Sequence, residues 1–213
     1  MISDIIHRII ETVFALGYPG IIGLMFIESS FIPFPSELVM PPAGYLAATG
    51  RMNVYAVVGS GLLGSLLGAL FNYYFAVWVG EPFLRRYGRY FFVSGKALDK
   101  SEAFFLRHGE VSTFVGRLTP VVRQLISVPA GLARMPIGKF LAFTALGAGI
   151  WCAILTYIGW LLGRHGATMM EAAVQAKAQA SQIVVFYIIP ALLLIVAAYA
   201  YWYSRRRARE RSA

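Results

Sequence analysis

The sequence predicts an all-α integral membrane protein: an inverted repeat of a re-entrant helical hairpin plus a transmembrane helix, with a further transmembrane helix near the C-terminal end. Three observations predict it. Of the 213 residues 58% are hydrophobic and only 14% charged, with a mean hydropathy of +0.65, far from an average soluble domain. Long apolar runs alternate with apolar stretches crowded with proline. The prolines and several polar residues recur at a fixed spacing.

Read in order, one membrane domain covers 1–213. Residues 1–27 open with Asp4, His7, Arg8 and Glu11 in an amphipathic, interfacial helix and continue through Val13 to Ile27, interrupted by Gly17, Pro19 and Gly20, as a first span. No basic region, short apolar core and small-residue cleavage site mark a signal peptide. Residues 29–49 form the first hairpin, 54–79 a span, and 81–110 a charged, amphipathic cytoplasmic segment that covers the second hairpin. The second hairpin takes 111–135, the next span 140–162, and Ala167 to Ser181 a short outer helix. A last span occupies 183–203 before the basic cytoplasmic tail 204–213.

Neither hairpin segment can be one straight span. Pro33, Pro35, Pro41 and Pro42 break the first and Pro120, Pro129 and Pro136 the second, since each proline removes a backbone donor and disfavours helix in the residue before it. Irregular backbone at membrane depth is tolerated only under protein cover or along a water-filled cavity. An internal comparison supports a repeat: "PPAG" ending at Gly44 matches "VPAG" ending at Gly131. Pro33 then falls opposite Pro120, Pro42 opposite Pro129, Ser36 opposite Arg123 and Glu37 opposite Gln124. "GSG" at Gly59 to Gly61 meets "GAG" at Gly147 to Gly149 after a shift of one residue. Broken helices in matching positions of two halves point to a transporter binding site. Pro33, Pro35, Pro42, Gly44, Pro120, Pro129 and Gly131 are the residues expected to shape the hairpins.

Basic residues in short loops mark the cytoplasmic side. With the 81–110 loop and the C-terminus inside, 14 of the 19 basic residues lie inside and only Arg51, Arg164 and Lys177 outside. This opens the first hairpin outward and the second inward, as an inverted repeat requires. The net charge of +9 is met by anionic lipid head groups, a partner that "RRRARER" at Arg205 to Arg211 suits, and no nucleic-acid module is present. Tyr73, Tyr74, Trp78, Trp160 and Tyr201 to Tyr203 read as interfacial anchors. Cys152, the single cysteine, can form no intramolecular disulfide and reads as a small packing residue.

Chemistry concentrates in four ionisable groups that no loop claims: Glu28, Glu37, Arg117 and Arg123. A charge near the bilayer centre costs roughly 2.5–3.5 kcal/mol or more, so these groups must face one another, water or an ionic ligand. The bland reading is a set of buried ion pairs joining the hairpins. Paired arginines favour a phosphate ligand, because the guanidinium fork binds it through parallel hydrogen bonds and stays charged. Glutamate can take up and release a proton, since burial and a neighbouring cation move its pKa in opposite directions.

At these residues, "FIESSFIPFPSELVMPPAG" and "FVGRLTPVVRQLISVPAGLARMP" resemble the two signature segments of the DedA membrane proteins, which share the domain also called SNARE-associated or VTT. The resemblance covers about Gly17 to Gly163, and at Glu28, Glu37, Arg117 and Arg123 the sequence keeps the family's functional acids and arginines. It implies a multi-pass bacterial inner-membrane lipid transporter with two oppositely directed re-entrant hairpins, some members of which recycle undecaprenyl phosphate or move phospholipids under the proton motive force. The "IPFPSE" form is similar to members assigned to undecaprenyl phosphate. Arg117 and Arg123 are then expected to bind the lipid phosphate, with Glu28 and Glu37 gating it through protons. The alternatives are a phospholipid such as phosphatidylethanolamine, a proton-coupled exporter of cations or drugs, or a scaffold without transport. A homo-oligomer is compatible with the sequence. His7, His108 and His165 lie in or beside loops, so a nucleophile has no base and an enzyme is not expected; "GSG" serves helix packing. Metal and nucleotide motifs are lacking, and no cofactor is expected.

Overall fold

The computed structural model describes residues 15–30, 35–80, 105, 109–119 and 122–166, with the single positions 175, 179, 182 and 190. The chain divides into two units, Met1–Lys177 and Ala178–Ala213. Of the second unit only Gln179, Gln182 and Pro190 are described, and all three are helical. The interfacial start, most of the cytoplasmic segment, the outer helix apart from two positions, nearly all of the last span, the basic tail, Pro33 and Pro120 lie outside the described residues.

Every described element is helical. α1 (Tyr18–Ser29) starts after Gly17, whose φ of 60° suits a residue without Cβ, and carries Pro19 in its first turn, where no intrahelical donor is lost. Residues 15 and 16 are helical too, so Gly17 interrupts the helix within the expected first span, and the 12 residues of α1 rise about 18 Å beyond it. A 3-10 turn (Ser36–Leu38) and α2 (Met40–Ala48) follow the break, with Pro41 and Pro42 tolerated in the first turn of α2. α3 (Val54–Phe75) is capped by the Asn53 side chain, which accepts from the amides of Tyr55 and Ala56 at 2.9 and 3.2 Å. It continues as a wider π turn (Ala76–Gly80).

Beyond residue 105, residues 109–118 are helical. α4 (Val122–Leu125) and α5 (Ser127–Leu132) then lead to α6 (Ile137–Arg164). Val54–Gly80 and Ile137–Arg164 are long and apolar enough to cross a membrane, matching two of the three strongest expected spans.

The contacts fix the register. α1 runs alongside α3 in the same direction: the Asn53 amide donates to Tyr18 Oη at 2.8 Å, Gly64 faces Ile22, Gly68 faces Phe26, and Asn72 Nδ2 donates to the Ser29 carbonyl at 3.1 Å. α2 brings the chain back to the start of α3. The same construction recurs beside α6, where Glu110 pairs with Lys139 at 2.6 Å near its start and Arg117 packs on Gly147 farther along. α5 then returns the chain to the start of α6, through a turn in which Arg134 adopts φ 45°.

The returning helices seat crosswise. α2 lies on the C-terminal half of α6, with Gly44 against the Thr156 carbonyl and Gly159 against the Pro41 carbonyl. α5 lies on the C-terminal half of α3, with Gly131 against the Tyr73 carbonyl, and Tyr73 Oη donates to the Met135 carbonyl at 2.6 Å. A Cβ at any of these glycines would overlap backbone, so glycine sets the spacing between the helices. Ala69, Tyr73, Ile126, Ala130, Met135 and Phe140 pack into a core beside the second seam, with the Tyr73 and Phe140 rings 5.0 Å apart.

Candidate anion site between the broken segments

A buried charged side chain stands just before each break. α1 ends at Glu28 and Ser29 before the first break, and residues 109–118 end at Arg117 and Leu118 before the second. Glu28, Arg117 and Arg123 are 2, 3 and 8% exposed.

Arg123, on α4, forms an ion pair with Glu28 and donates from Nη2 to Ser36 Oγ at 2.6 Å. Its guanidinium lies over the Trp151 ring, 5.3 Å from the centroid. Trp151 Nε1 also donates to Ser36 Oγ, at 3.1 Å, so one buried hydroxyl oxygen accepts from both. Ser29 Oγ donates to Glu28 Oε2 at 2.8 Å.

Arg117 is held differently. Its Nη2 donates to Ser127 Oγ at 2.7 Å, while its Nε is buried without a hydrogen-bond partner. Among the described residues no carboxylate lies within ion-pair distance of it. Gly147 allows this position, because a Cβ there would stand 2.5 Å from the Arg117 Cβ.

Glu28, Arg117 and Arg123 line one cavity together with Ser65, Trp151 and Cys152; its atom-free space, open mouth included, is about 240 Å3. The room it leaves for a water-sized molecule is about 10 Å3, enough for one water, so anything larger enters only if side chains of the wall move apart. Three of the four expected site groups therefore meet in one wall. Glu37 is half-buried on the 3-10 turn and is not part of that wall. Successive residues of a 3-10 turn point about 120° apart, so with Ser36 directed at Arg123 its neighbour turns elsewhere.

Of the expected hairpin-shaping residues, Pro35 precedes the 3-10 turn, Pro42 is buried in the first turn of α2, and Pro129 stands in α5. Gly44 and Gly131 form the crosswise contacts. Sequence reasoning passed over Ser127 and Trp151 and noticed Ser36 only as the repeat counterpart of Arg123. A tryptophan midway along a span, when the others stand near span ends, was the available signal for Trp151.

A family model described as the VTT domain matches residues 34–161. The chain is 36% identical over 162 residues to a Bacillus subtilis protein named undecaprenyl phosphate transporter A, covering 76% of this chain and 79% of that protein. It is 33% identical over 160 residues to a Lactococcus lactis protein named alkaline phosphatase-like protein, covering 73% and 75%. To the Escherichia coli protein named DedA it is 29% identical over 145 residues, covering 66% of each. No solved structure matches the chain.

Proposed function

The chain belongs to the DedA family of VTT-domain membrane proteins, and from that premise we propose that it is a flippase that moves undecaprenyl phosphate across the bacterial cytoplasmic membrane, coupled to the proton motive force. The observation that carries the reading is the cavity in which two buried arginines face one buried glutamate. Arginine supplies the fork that a phosphate needs, and the wall opens to admit the head group while the polyprenyl tail stays in lipid.

In this reading the two broken segments are re-entrant hairpins of an inverted repeat. Support comes from the register, since in each half a first helix advances beside the long helix and a second returns to its start. Further support comes from Ser36 and Arg123, which stand 87 positions apart, the offset of the repeat, and touch one another. Counterparts in a two-fold repeat can meet only at its axis, so the site straddles that axis. Arg117 and Arg123 bind the phosphate; Glu28 and Glu37 carry protons, and protonation frees arginine for the lipid.

The test is transport in liposomes with undecaprenyl phosphate labelled in the phosphate. Wild-type protein is expected to move label between leaflets faster under an imposed proton gradient, with the phosphate still attached to its lipid. Arg117→Ala and Arg123→Ala are expected to reduce the rate at least tenfold, or about 1.4 kcal/mol. Native rates in both variants would overturn the assignment. Release of free phosphate would favour a hydrolase, the reading suggested by the alkaline phosphatase-like relative.

A further inference from the structure

The two buried arginines differ in what already holds them. Arg123 is engaged by the Glu28 carboxylate, by Ser36 Oγ and by the Trp151 ring. Among the described residues Arg117 makes one hydrogen bond, to Ser127 Oγ, and its buried Nε has no partner. A buried guanidinium without a counter-charge is costly, so Arg117 is the group in this wall that calls for an anion.

The charges can be counted. Glu28 and Arg123 cancel, and Arg117 leaves one positive charge in the wall. The other titratable group of the wall is the Cys152 thiol. Glu37 stands half-buried beside Ser36 and outside the wall, while Glu110 and Lys139 pair with each other near the start of α6. A phosphodiester carries one negative charge, whereas a phosphomonoester carries between one and two at neutral pH, its second ionisation lying near pH ~6.

We infer that the cavity with Glu28 ionised takes a singly charged phosphate on Arg117, and takes a doubly charged phosphomonoester only when Glu28 accepts a proton and releases Arg123. Glu28 is thereby the residue that separates phosphodiester from phosphomonoester head groups, and the uptake of the second kind requires a proton. The proton ends on the carboxylate that held Arg123, and no covalent bond of the lipid changes. This rests on the reading of the cavity as a phosphate site.

The experiment uses the full chain in nanodiscs at pH 8 with two probes of the same tail, a polyprenyl phosphate and its methyl ester, which lacks the second charge. Titration calorimetry in two buffers of different ionisation enthalpy reads affinity and proton uptake together. Wild type is expected to take up about one proton with the phosphomonoester and none with the methyl ester. In Glu28→Gln the uptake should vanish and the phosphomonoester bind about tenfold tighter, with the methyl ester changed less than ~twofold. Arg117→Gln should weaken both probes about tenfold or more, and Arg123→Gln the phosphomonoester alone.

Proton uptake that survives in Glu28→Gln, or an equal shift of both probes in that variant, overturns the inference and leaves the phosphate site standing. If wild type binds neither probe, the phosphate reading falls and the inference falls with it. The comparison of wild type with the isosteric Glu28→Gln is decisive even if an arginine variant does not fold.

Discussion

Where the two broken segments touch, the first supplies the acceptors and the second the donor. Glu28 and Ser36 come from the first, Arg117 and Arg123 from the second, although both segments share one construction of advancing helix, proline break and returning helix. Two segments of similar build carry opposite chemistry. Each satisfies part of its own buried polar groups, Ser29 donating to Glu28 and Arg117 to Ser127, but the ion pair exists only where the two segments meet.

The severest way to break this division is to remove one side of the pair. Arg123→Ala leaves Glu28 buried without its arginine and is expected to cost about 3–5 kcal/mol. Thermal unfolding in detergent should show it, and adding Glu28→Ala should restore part of the loss. If the double variant is no more stable than the single one, the two residues are not coupled.

The seam under the first segment comes next. Gly44→Val forces α2 away from the Thr156 carbonyl and is expected to cost about 1–3 kcal/mol, read as a lowered melting temperature. An unchanged melting temperature would mean that this contact does not fix the spacing.

Ser36→Ala sharpens the comparison at the least cost. It leaves Arg123 its glutamate and deprives Trp151 Nε1 of its acceptor, for roughly 1–2 kcal/mol. Tryptophan fluorescence should shift as the indole loses its hydrogen bond. No change in either stability or emission would remove Ser36 from the account.

Much of this was legible in the sequence, for physical reasons. The long helices at Val54–Gly80 and Ile137–Arg164 announce themselves by continuous hydropathy, and the breaks by prolines that cannot donate. Charges without a loop pointed to Glu28, Glu37, Arg117 and Arg123, because burying charge without use is costly, and three of the four line the cavity. Which acid meets which arginine was not legible. Glu28 and Glu37 read alike in the chain, and only the fold shows Glu28 paired with Arg123 in the cavity wall while Glu37 stands on the 3-10 turn outside that wall. Trp151 was hidden for another reason, since an aromatic residue in an apolar run fits lipid, core or cavity equally well until its indole N–H has a partner.

The crosswise glycine seams carry one more consequence. Each half lends its returning helix to the long helix of the other, α2 to α6 and α5 to α3, like two hands clasped with the fingers interlaced. A chain severed in the segment between the halves should therefore yield fragments that are poor folders alone and recover as a co-expressed pair. By the same logic a tilting of one half as a solid block would have to drag the other half's arm along, so any motion that exposes the cavity must keep both clasps closed and bend the chain elsewhere.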